Sequence, residues 1–471
     1  MRKLGFNVSV FEKNTYPGGK LSELKLGDYR FDKGPSLLTM PVLIDELLAF
    51  NPREKKAFKY KRLEHLCNYF YEDGSKVTAY ADVNKFAQEL SARFNENEKD
   101  VLDHLKTSKF YYDITADLFL KQSLSQIKNF LNLKTLKGVL NSPRLKLFTT
   151  MHEQNERKLK NKKTVQLFDR YATYNGSNPY KAPALLNIIP HLEFGLGAYI
   201  PEKGMYDITQ SLYETALEMG VQFHFGHEVQ QILVENETAR GIIANGKQFN
   251  SDLVLSDADI HVVYKKLLPE KYTPERILKQ EKSSSAFVFY WGIKKELSEL
   301  DLHNILFSEN YKEEFNCLFE KDRPFHDPTI YINITSKYCK EDAPKGCENW
   351  FVMVNVPHQK KDTKIDYQDE LRDNVIKKIN KLLHLDIEKL IEVEATLSPR
   401  DIESQTSSYG GSLYGNSSNN RFSAFLRHSN YSSKIKGLYF AGGSVHPGGG
   451  IPLCLLSAKI VEDIIRTKHD R

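Results

Sequence analysis

The sequence predicts an α/β protein in which one sheet-containing domain is assembled from separate pieces of the chain. A short β-branched strand that ends in an acidic residue, Glu12, lies near the start. A glycine-rich loop between an apolar strand and an apolar helix lies near the other end, and a strand–bend–strand unit lies between them. The intervening stretches contain further apolar strands and amphipathic helices, which predict a second domain.

The first residues have the pattern of the second half of a βαβ unit. Residues 1–4 are typical of a helix end that Gly5 stops, and residues 8–12 are typical of a strand. In dinucleotide-binding units, an acid at the end of the second strand accepts hydrogen bonds from the adenosine ribose hydroxyls. Glu12 is therefore a candidate cofactor ligand, and the domain is predicted to be Rossmann-like.

A complete unit of this kind also has a G-x-G-x-x-G turn about 20 residues before the acid. Only eleven residues precede Glu12. We therefore expect the first strand and the glycine loop that holds the pyrophosphate to be absent from this sequence, with impaired cofactor binding as the consequence. An error in the assigned start of the gene is one interpretation.

Two glycine elements follow the first strand, in residues 16–20 and 31–36. Together with the acid before them, they resemble the flavin amine oxidase superfamily, in which Glu-Lys, Gly-Gly-Arg/Lys and Gly-Pro elements line the FAD channel. In the Gly-Gly-Arg/Lys element, this sequence has Lys20 where arginine is commoner. The resemblance implies FAD as the cofactor and assigns its contacts in this region to Glu12, Lys13, Gly18, Gly19, Lys20, Gly34 and Pro35.

The loop near the other end has consecutive glycines beside the start of a helix at about 453–465. Exposed backbone N–H groups at a positive helix end suit the carbonyl groups, ribityl chain and pyrophosphate of a flavin. The string His-Pro-Gly-Gly-Gly-Ile-Pro resembles the C-terminal signature of bacterial and fungal phytoene desaturases, and most closely that of hydroxycarotenoid 3,4-desaturases. The resemblance assigns further FAD contacts to Gly442, Gly443, Gly448, Gly449, Gly450, Ile451 and Pro452.

The middle of the chain carries a third element of the same resemblance. A Pro-x-x-Gly-Met segment at 201–205 introduces a helix, and the strand–bend–strand unit follows at 220–232. The resemblance implies that this segment runs along the flavin and that the backbone of Val229 meets the adenine. The predicted FAD-binding domain therefore comprises 1–80, 199–260 and 398–471. Residues 81–198 and 261–397 are predicted to form a substrate domain, an antiparallel sheet with a helical, membrane-facing cap.

A basic amphipathic helix is predicted within 121–150, which contains six basic residues and no acidic one. A second basic cluster follows at 157–163. Such a helix can lie on an anionic membrane surface, or it can pack on the core with its basic side in solvent. The sequence has no signal peptide and no apolar run long enough to span a bilayer. The predicted location is cytoplasmic, peripherally associated with the inner face of a membrane.

The chemistry implied by the resemblance is the desaturation of a carotenoid, either phytoene or a hydroxylated acyclic carotenoid. Removing two hydrogens from a saturated carbon pair requires a hydride acceptor. No side chain can act as one, so FAD must accept the hydride. For the accompanying proton the candidate side chains are His446 and Arg170, whose alternative roles are loop hydrogen bonding and tunnel lining. The electron acceptor, a quinone or oxygen, is not identified by the sequence.

Composition excludes other classes of function. The net charge of +5 is small and dispersed, which argues against a nucleic-acid partner. The five cysteines are scattered without C-x-x-C spacing, so no metal site is predicted. Two alternatives remain within the same fold: a redox-neutral carotenoid isomerase and a non-enzymatic lipid-binding protein such as the GDP dissociation inhibitors. Retained flavin-contact motifs favour an enzyme over a lipid binder.

Overall fold

The computed structural model describes residues 1–51, 58–116, 145–146, 148–360, 367–420 and 427–469. Their strands are β1 (Ser9–Glu12), β2 (Glu23–Leu26), β3 (Tyr29–Asp32), β4 (Leu38–Thr39), β5 (Tyr60–Arg62), β6 (His65–Phe70), β7 (Lys76–Tyr80), β8 (Ala198–Pro201), β9 (Gln222–Phe225), β10 (Val229–Glu235), β11 (Thr238–Ala244), β12 (Lys247–Asn250), β13 (Val254–Ser256), β14 (Ser285–Ile293), β15 (His303–Leu306), β16 (Ile330–Asn333), β17 (Glu348–Val356), β18 (Ile391–Leu397) and β19 (Leu438–Phe440).

The α-helices of the described residues are α1 (Val42–Leu48), α2 (Val83–Phe94), α3 (Glu98–Thr115), α4 (Met151–Lys158), α5 (Lys162–Asp169), α6 (Ile189–Phe194), α7 (Tyr206–Glu218), α8 (Ile260–Val262), α9 (Glu275–Leu278), α10 (Tyr311–Phe319), α11 (Gln368–Leu383), α12 (Pro399–Thr406) and α13 (Ile451–His469). Short 3-10 helices connect several of them, including Arg170–Asn175 and Ala184–Ile188. The predicted α/β fold class is confirmed.

The largest sheet has seven strands in the order β18-β14-β17-β16-β15-β6-β7. Its pairs are antiparallel except for β15 with β6, which run parallel. β14, the second strand in this order, is buried along all nine residues, so both faces of the sheet are covered there. Phe289 and Trp291 pack on the side of α11, whereas Val288 and Tyr290 pack on the side of β3.

A helical layer made of α2, α3, α5 and α6 packs with β6 and β7 around a single apolar cluster. Phe86 stacks on Phe194 in its centre, with ring centroids 5.0 Å apart. Asp82 caps α2 by accepting hydrogen bonds from the backbone N–H groups of its first turn. The basic helix predicted within 121–150 falls mostly on residues 117–144 and 147, which lie outside the described residues.

The predicted strands around the cofactor motifs are present. β1 pairs in parallel with β9, and β13 pairs in parallel with β19. β10, β11 and β12 form an antiparallel meander beside them. These pairings bring the start, the middle and the end of the chain together, as a domain assembled from separate pieces requires.

The hairpin of β2 and β3 is fastened to the start of α7 by one carboxylate. Asp32 accepts hydrogen bonds from the backbone N–H groups of Met205, at 2.7 Å, and Tyr206, at 3.0 Å. Arg30 donates to the same carboxylate at 2.6 Å. The side chain of Thr209 also donates to the carbonyl of Leu21 at 2.8 Å. These bonds hold residues 18–36 against α7.

Residues 65–80, which the sequence analysis placed in the FAD-binding domain, form β6 and β7 of the seven-stranded sheet. The strands of that sheet otherwise come from residues 285–397, within the predicted substrate domain. The remaining boundaries of the two domains stay a prediction. No helix in the described ranges has the length and apolarity needed to cross a bilayer.

Candidate active site

One cavity of about 2120 Å³ joins the three cofactor motifs to the apolar part of the protein. The predicted FAD contacts that line it are Glu12, Lys13, Gly18, Gly19, Lys20, Gly34, Pro35, Val229, Gly442, Gly443, Gly449, Gly450, Ile451 and Pro452. Gly448 lies outside this lining, and a Cβ on it would meet the guanidinium of Arg427 at 3.2 Å. The fold therefore brings almost the whole predicted set to one place.

Glu12 ends β1 and is half-buried, with its Oε1 accepting a hydrogen bond from the backbone N–H of Asn14 at 2.7 Å. Burial raises the pKa of Glu12, and the nearby Asp257 carboxylate raises it further. Asp257 lines the same cavity, and desolvation there raises its pKa as well. Two partly desolvated carboxyl groups gain by accepting hydrogen bonds from neutral hydroxyl donors, which a ribose offers.

Two glycines of the site serve close backbone contacts. A Cβ on Gly18 would lie 2.3 Å from the carbonyl oxygen of Leu21, and a Cβ on Gly34 would lie 2.1 Å from that of Lys20. Two others have a different reason to be glycine. Gly19, with φ +53°, and Gly450, with φ +106°, both line the cavity, and nothing lies within 4 Å of the position of an added Cβ. A ligand can therefore approach the bare backbone at both positions.

The start of α13 faces the same space, since Gly450 immediately precedes this helix of 19 residues. The unpaired N–H groups and the positive dipole at a helix start favour an anion or a polarised carbonyl. Ile451 and Pro452, its first two residues, line the cavity. This geometry fits the pyrophosphate or the ring carbonyls of FAD.

Two cations also line the cavity. The ammonium of Lys20 donates to the carbonyls of Ser412, at 3.4 Å, and Leu413, at 3.0 Å. Desolvation lowers the pKa of Lys20, and the negative charge of Asp259 partly opposes that shift. Among the described residues, no carboxylate forms an ion pair with Lys20. A partly desolvated cation without an ion pair is costly, and a bound anionic cofactor offsets that cost.

Arg427 is the second of these cations, and the sequence analysis missed it. Its guanidinium donates to the carbonyls of Tyr414 at 3.1 Å, Gly443 at 3.3 Å and Asn416 at 2.9 Å. Burial lowers the pKa of Arg427 to about 10. The described carboxylates again provide no ion pair for it. Arg427 belongs to none of the glycine motifs, so no local signal in the sequence marks it.

The other part of the cavity is apolar. Its lining includes Leu66, Leu186, Ile189, Phe315, Phe351 and Met353. Such a surface suits a hydrocarbon, which is held by burial and shape because it has no hydrogen-bonding groups. The three His, Cys, Asp or Glu side chains that a metal ion would require are not found together in the described residues.

Arg170 lies in this apolar part, as the sequence analysis predicted for a polar group in the tunnel. It donates to the hydroxyl of Tyr69 at 2.6 Å and lies 3.8 Å from Glu193. Its guanidinium stacks over the ring of Tyr171 at 4.4 Å, and Tyr171 donates to Glu193 at 2.7 Å. The charge of Arg170 is thus compensated within a fixed network, which favours a positioning role over proton transfer.

The structure does not bring His446 to the cavity lining. His446 is buried, its backbone N–H donates to the carbonyl of His428 at 2.9 Å, and its carbonyl accepts from the amide of Asn430 at 2.8 Å. These backbone bonds hold the glycine loop in place. The role of His446 as a proton acceptor remains a prediction.

The sequence matches the family described as flavin containing amine oxidoreductase over residues 1–461. The chain belongs to this family. The predicted flavin cofactor is thereby confirmed, and the open glycines, the helix start and the two unpaired cations provide a site that fits FAD.

Individual relatives support a narrower relationship. The chain is 49% identical to a 1-hydroxycarotenoid 3,4-desaturase from Flavobacterium sp. (strain P99-3), covering 99% of this chain and 95% of the relative. It is 30% identical to a 4,4'-diapophytoene desaturase from Staphylococcus aureus (strain Newman), covering 98% and 94%. The predicted resemblance to carotenoid desaturases is confirmed. A solved structure of putrescine oxidase, 12% identical, shares the fold with a TM-score of 0.63, covering 99% and 95%.

We expect replacement of Glu12 by alanine to weaken FAD binding by roughly 1.5–3 kcal/mol, because charge-assisted hydrogen bonds to the ribose hydroxyls are lost. Flavin titration of the full-length protein measures this effect. Glu235→Ala is the matched control, since Glu235 is an exposed glutamate at the end of β10. Equal FAD affinity in the two variants would show that Glu12 is only a strand-end residue.

Gly450→Ala should reduce the flavin content of purified protein, because the new methyl group enters the open cavity and the residue has φ +106°. Gly74→Ala is a close control. Gly74 has φ +80° and equally open surroundings, but it lies in the turn between β6 and β7. Both variants should lose about 1 kcal/mol of stability through backbone strain. Only the first should lose flavin, and comparable flavin content in both would contradict the assignment.

Proposed function

We propose that this protein is an FAD-dependent desaturase whose substrate is an acyclic carotenoid with a hydroxyl group at C1, and that it forms the double bond between C3 and C4. The observation that carries the proposal is the single cavity, which leads from the FAD motifs directly into an apolar chamber. A chamber of that kind can hold a polyene against the cofactor. The 1-hydroxycarotenoid 3,4-desaturase that is 49% identical over nearly the full length indicates the substrate class.

FAD held by the glycine elements, Lys20 and Arg427 would supply the acceptor for the hydride that desaturation removes. The protein binds, orients and shields the reactants. The sheet residues Val288, Phe351 and Met353 line one wall of the cavity, and Leu186 and Ile189 from the helical layer line another. Excluding water from this space keeps the polyene in a fixed position relative to the cofactor.

The anaerobic reaction with a 1-hydroxycarotenoid tests the proposal. We expect the absorption of oxidised flavin to bleach and a product two hydrogens lighter, with a longer conjugated system, to form. Readmission of oxygen or addition of a quinone should restore the oxidised flavin, and their relative rates identify the electron acceptor.

Two outcomes would contradict this proposal. A product of unchanged mass, with the flavin still oxidised at the end, would indicate the redox-neutral isomerase. Retention of unchanged carotenoid by the protein would indicate a lipid binder. Gly450→Ala serves as the control with depleted flavin.

We further infer that the protein docks on an anionic membrane surface through the region around the start and the end of α4. Phe148, just before α4, is 75% exposed. The exposed basic residues at the end of α4 and in the following loop are Arg157, Lys158, Lys160 and Lys162. An exposed aromatic ring before the helix and several cations at its other end suit a lipid interface, where the ring enters the acyl boundary and the cations meet anionic headgroups.

Reversing these four charges to glutamate should weaken sedimentation with anionic liposomes at low salt, since each cation contributes up to about 1 kcal/mol there. Neutral liposomes should bind little of either protein. The control is a variant with the same change of net charge at four exposed lysines elsewhere: Lys247, Lys295, Lys345 and Lys434. Equal loss of binding in both variants would point to net charge alone, and no loss in either would place the docking surface elsewhere.

A further inference from the structure

A chain of three hydrogen-bonded side chains crosses the cavity wall from the FAD motifs to the seven-stranded sheet. Ser36 directly follows Gly34 and Pro35, and its Oγ lies 2.7 Å from the phenolic oxygen of Tyr331 on β16. That oxygen lies 2.7 Å from Nδ1 of His303 on the adjacent strand β15. All three side chains line the cavity. Ser36 is half-buried, so part of it remains accessible from the cavity.

The acceptor role of His303 determines which groups donate and which accept along these hydrogen bonds. The amide nitrogen of Asn333 donates to the carbonyl of Leu302 at 3.0 Å, which fixes the orientation of the amide because a carbonyl oxygen only accepts. The same amide nitrogen lies 3.2 Å from Nδ1 of His303. An amide nitrogen only donates, so Nδ1 is an acceptor. Burial and the nearby Arg170 lower the pKa of His303 to about 3, so the ring is neutral. With Nδ1 accepting, its proton lies on Nε2, which is buried and has no hydrogen-bond partner among the described residues.

The polarity of the other two members follows. Because Nδ1 of His303 accepts, the hydroxyl of Tyr331 donates its one proton there. Tyr331 therefore cannot donate to Ser36, and the hydroxyl of Ser36 must donate to Tyr331. The hydroxyl of Ser36 has only one proton, and that proton is donated to Tyr331. Towards a ligand in the cavity, the Ser36 oxygen can therefore only accept a hydrogen bond. We call such a group an acceptor of fixed polarity.

Such an acceptor distinguishes between carotenoid end groups. A free hydroxyl can donate to it, whereas a methyl ether or a plain hydrocarbon cannot. In a C1-hydroxylated carotenoid the oxygen is only a few covalent bonds from C3 and C4, so the group that recognises it must lie close to the reacting carbons. Ser36 is the candidate for that group, since it directly follows Gly34 and Pro35, two of the predicted FAD contacts in the same cavity.

We propose that Ser36 Oγ, oriented by Tyr331 and His303, accepts a hydrogen bond from the C1 hydroxyl of the substrate and thereby selects hydroxylated carotenoids. The inference rests on the proposed function and names the residue that recognises its substrate. Tyr331 and His303 act through Ser36 and are positioning residues.

The test compares three carotenoids that differ only at C1: the alcohol, its methyl ether and the parent hydrocarbon. For each, kcat/KM is measured, together with the amount of carotenoid that the protein retains without turnover. Wild-type protein should favour the alcohol over the ether by about 10-fold in both measurements. Ser36→Ala should remove this preference, so that the alcohol and the ether give nearly equal values.

Tyr331→Phe tests the fixed polarity. Without the phenolic oxygen, the Ser36 hydroxyl is free to donate to the ether oxygen. The value of kcat/KM for the ether should therefore rise relative to that for the alcohol, and the preference for the alcohol should fall towards equality. Thr115→Val is the matched control. Thr115 lines the same cavity, and its hydroxyl donates to the carbonyl of Tyr111 within α3. This control should keep the wild-type preference.

An unchanged preference for the alcohol in active Ser36→Ala protein would overturn the inference, as would a wild-type protein that uses alcohol and ether equally well. If Ser36→Ala does not fold, Tyr331→Phe decides alone, and an unchanged preference there overturns the inference. Failure of wild-type protein to desaturate any of the three carotenoids would overturn the proposed function instead, so the two failures are distinguishable.

Discussion

The carboxylate of Asp32 joins two pieces of chain that are 173 residues apart, and the geometry of the site depends on that junction. It accepts from two N–H groups at the start of α7 and from Arg30 on its own strand. A helix start has unpaired N–H groups that must be satisfied, so one side chain completes the helix and fixes the hairpin at once. Residues 34–36 continue directly from Asp32, and their position relative to α7 follows from it.

Groups of both charges line the cofactor part of the cavity. The acidic groups Glu12 and Asp257 lie near each other, and neutral ribose hydroxyls suit them. Lys20 and Arg427 lie in the same lining but are bonded to carbonyl oxygens, and the described residues give neither an ion pair. Because a desolvated cation without an ion pair is costly, an anionic cofactor that binds beside Lys20 and Arg427 offsets part of that cost.

Local motifs made much of this site predictable. Glu12, the glycine pairs and the loop at 442–452 are contiguous in sequence, and hydrophobic periodicity located the strands beside them. What the sequence could not show depends on pairings between distant segments. The parallel pairing of β6 with β15 brings residues 65–80 into the large sheet, and Arg427 is held at the site by loop carbonyls and by the side chain of Asn175. His446 shows the opposite case. It belongs to the glycine-loop motif in the sequence, but it is not part of the cavity lining.

The chain from Ser36 to His303 depends on the same long-range pairing, because β15 and β16 bring His303 and Tyr331 together only in the folded sheet. Its importance follows from the nature of the ligand. Apolar burial contributes roughly 25 cal/mol per Å² and is nearly the same when a repetitive polyene slides along its tunnel. Affinity from burial alone therefore does not determine which carbon pair meets the cofactor. A single acceptor of fixed polarity at the FAD end supplies that choice, since only one position of the polyene places a hydroxyl donor against it.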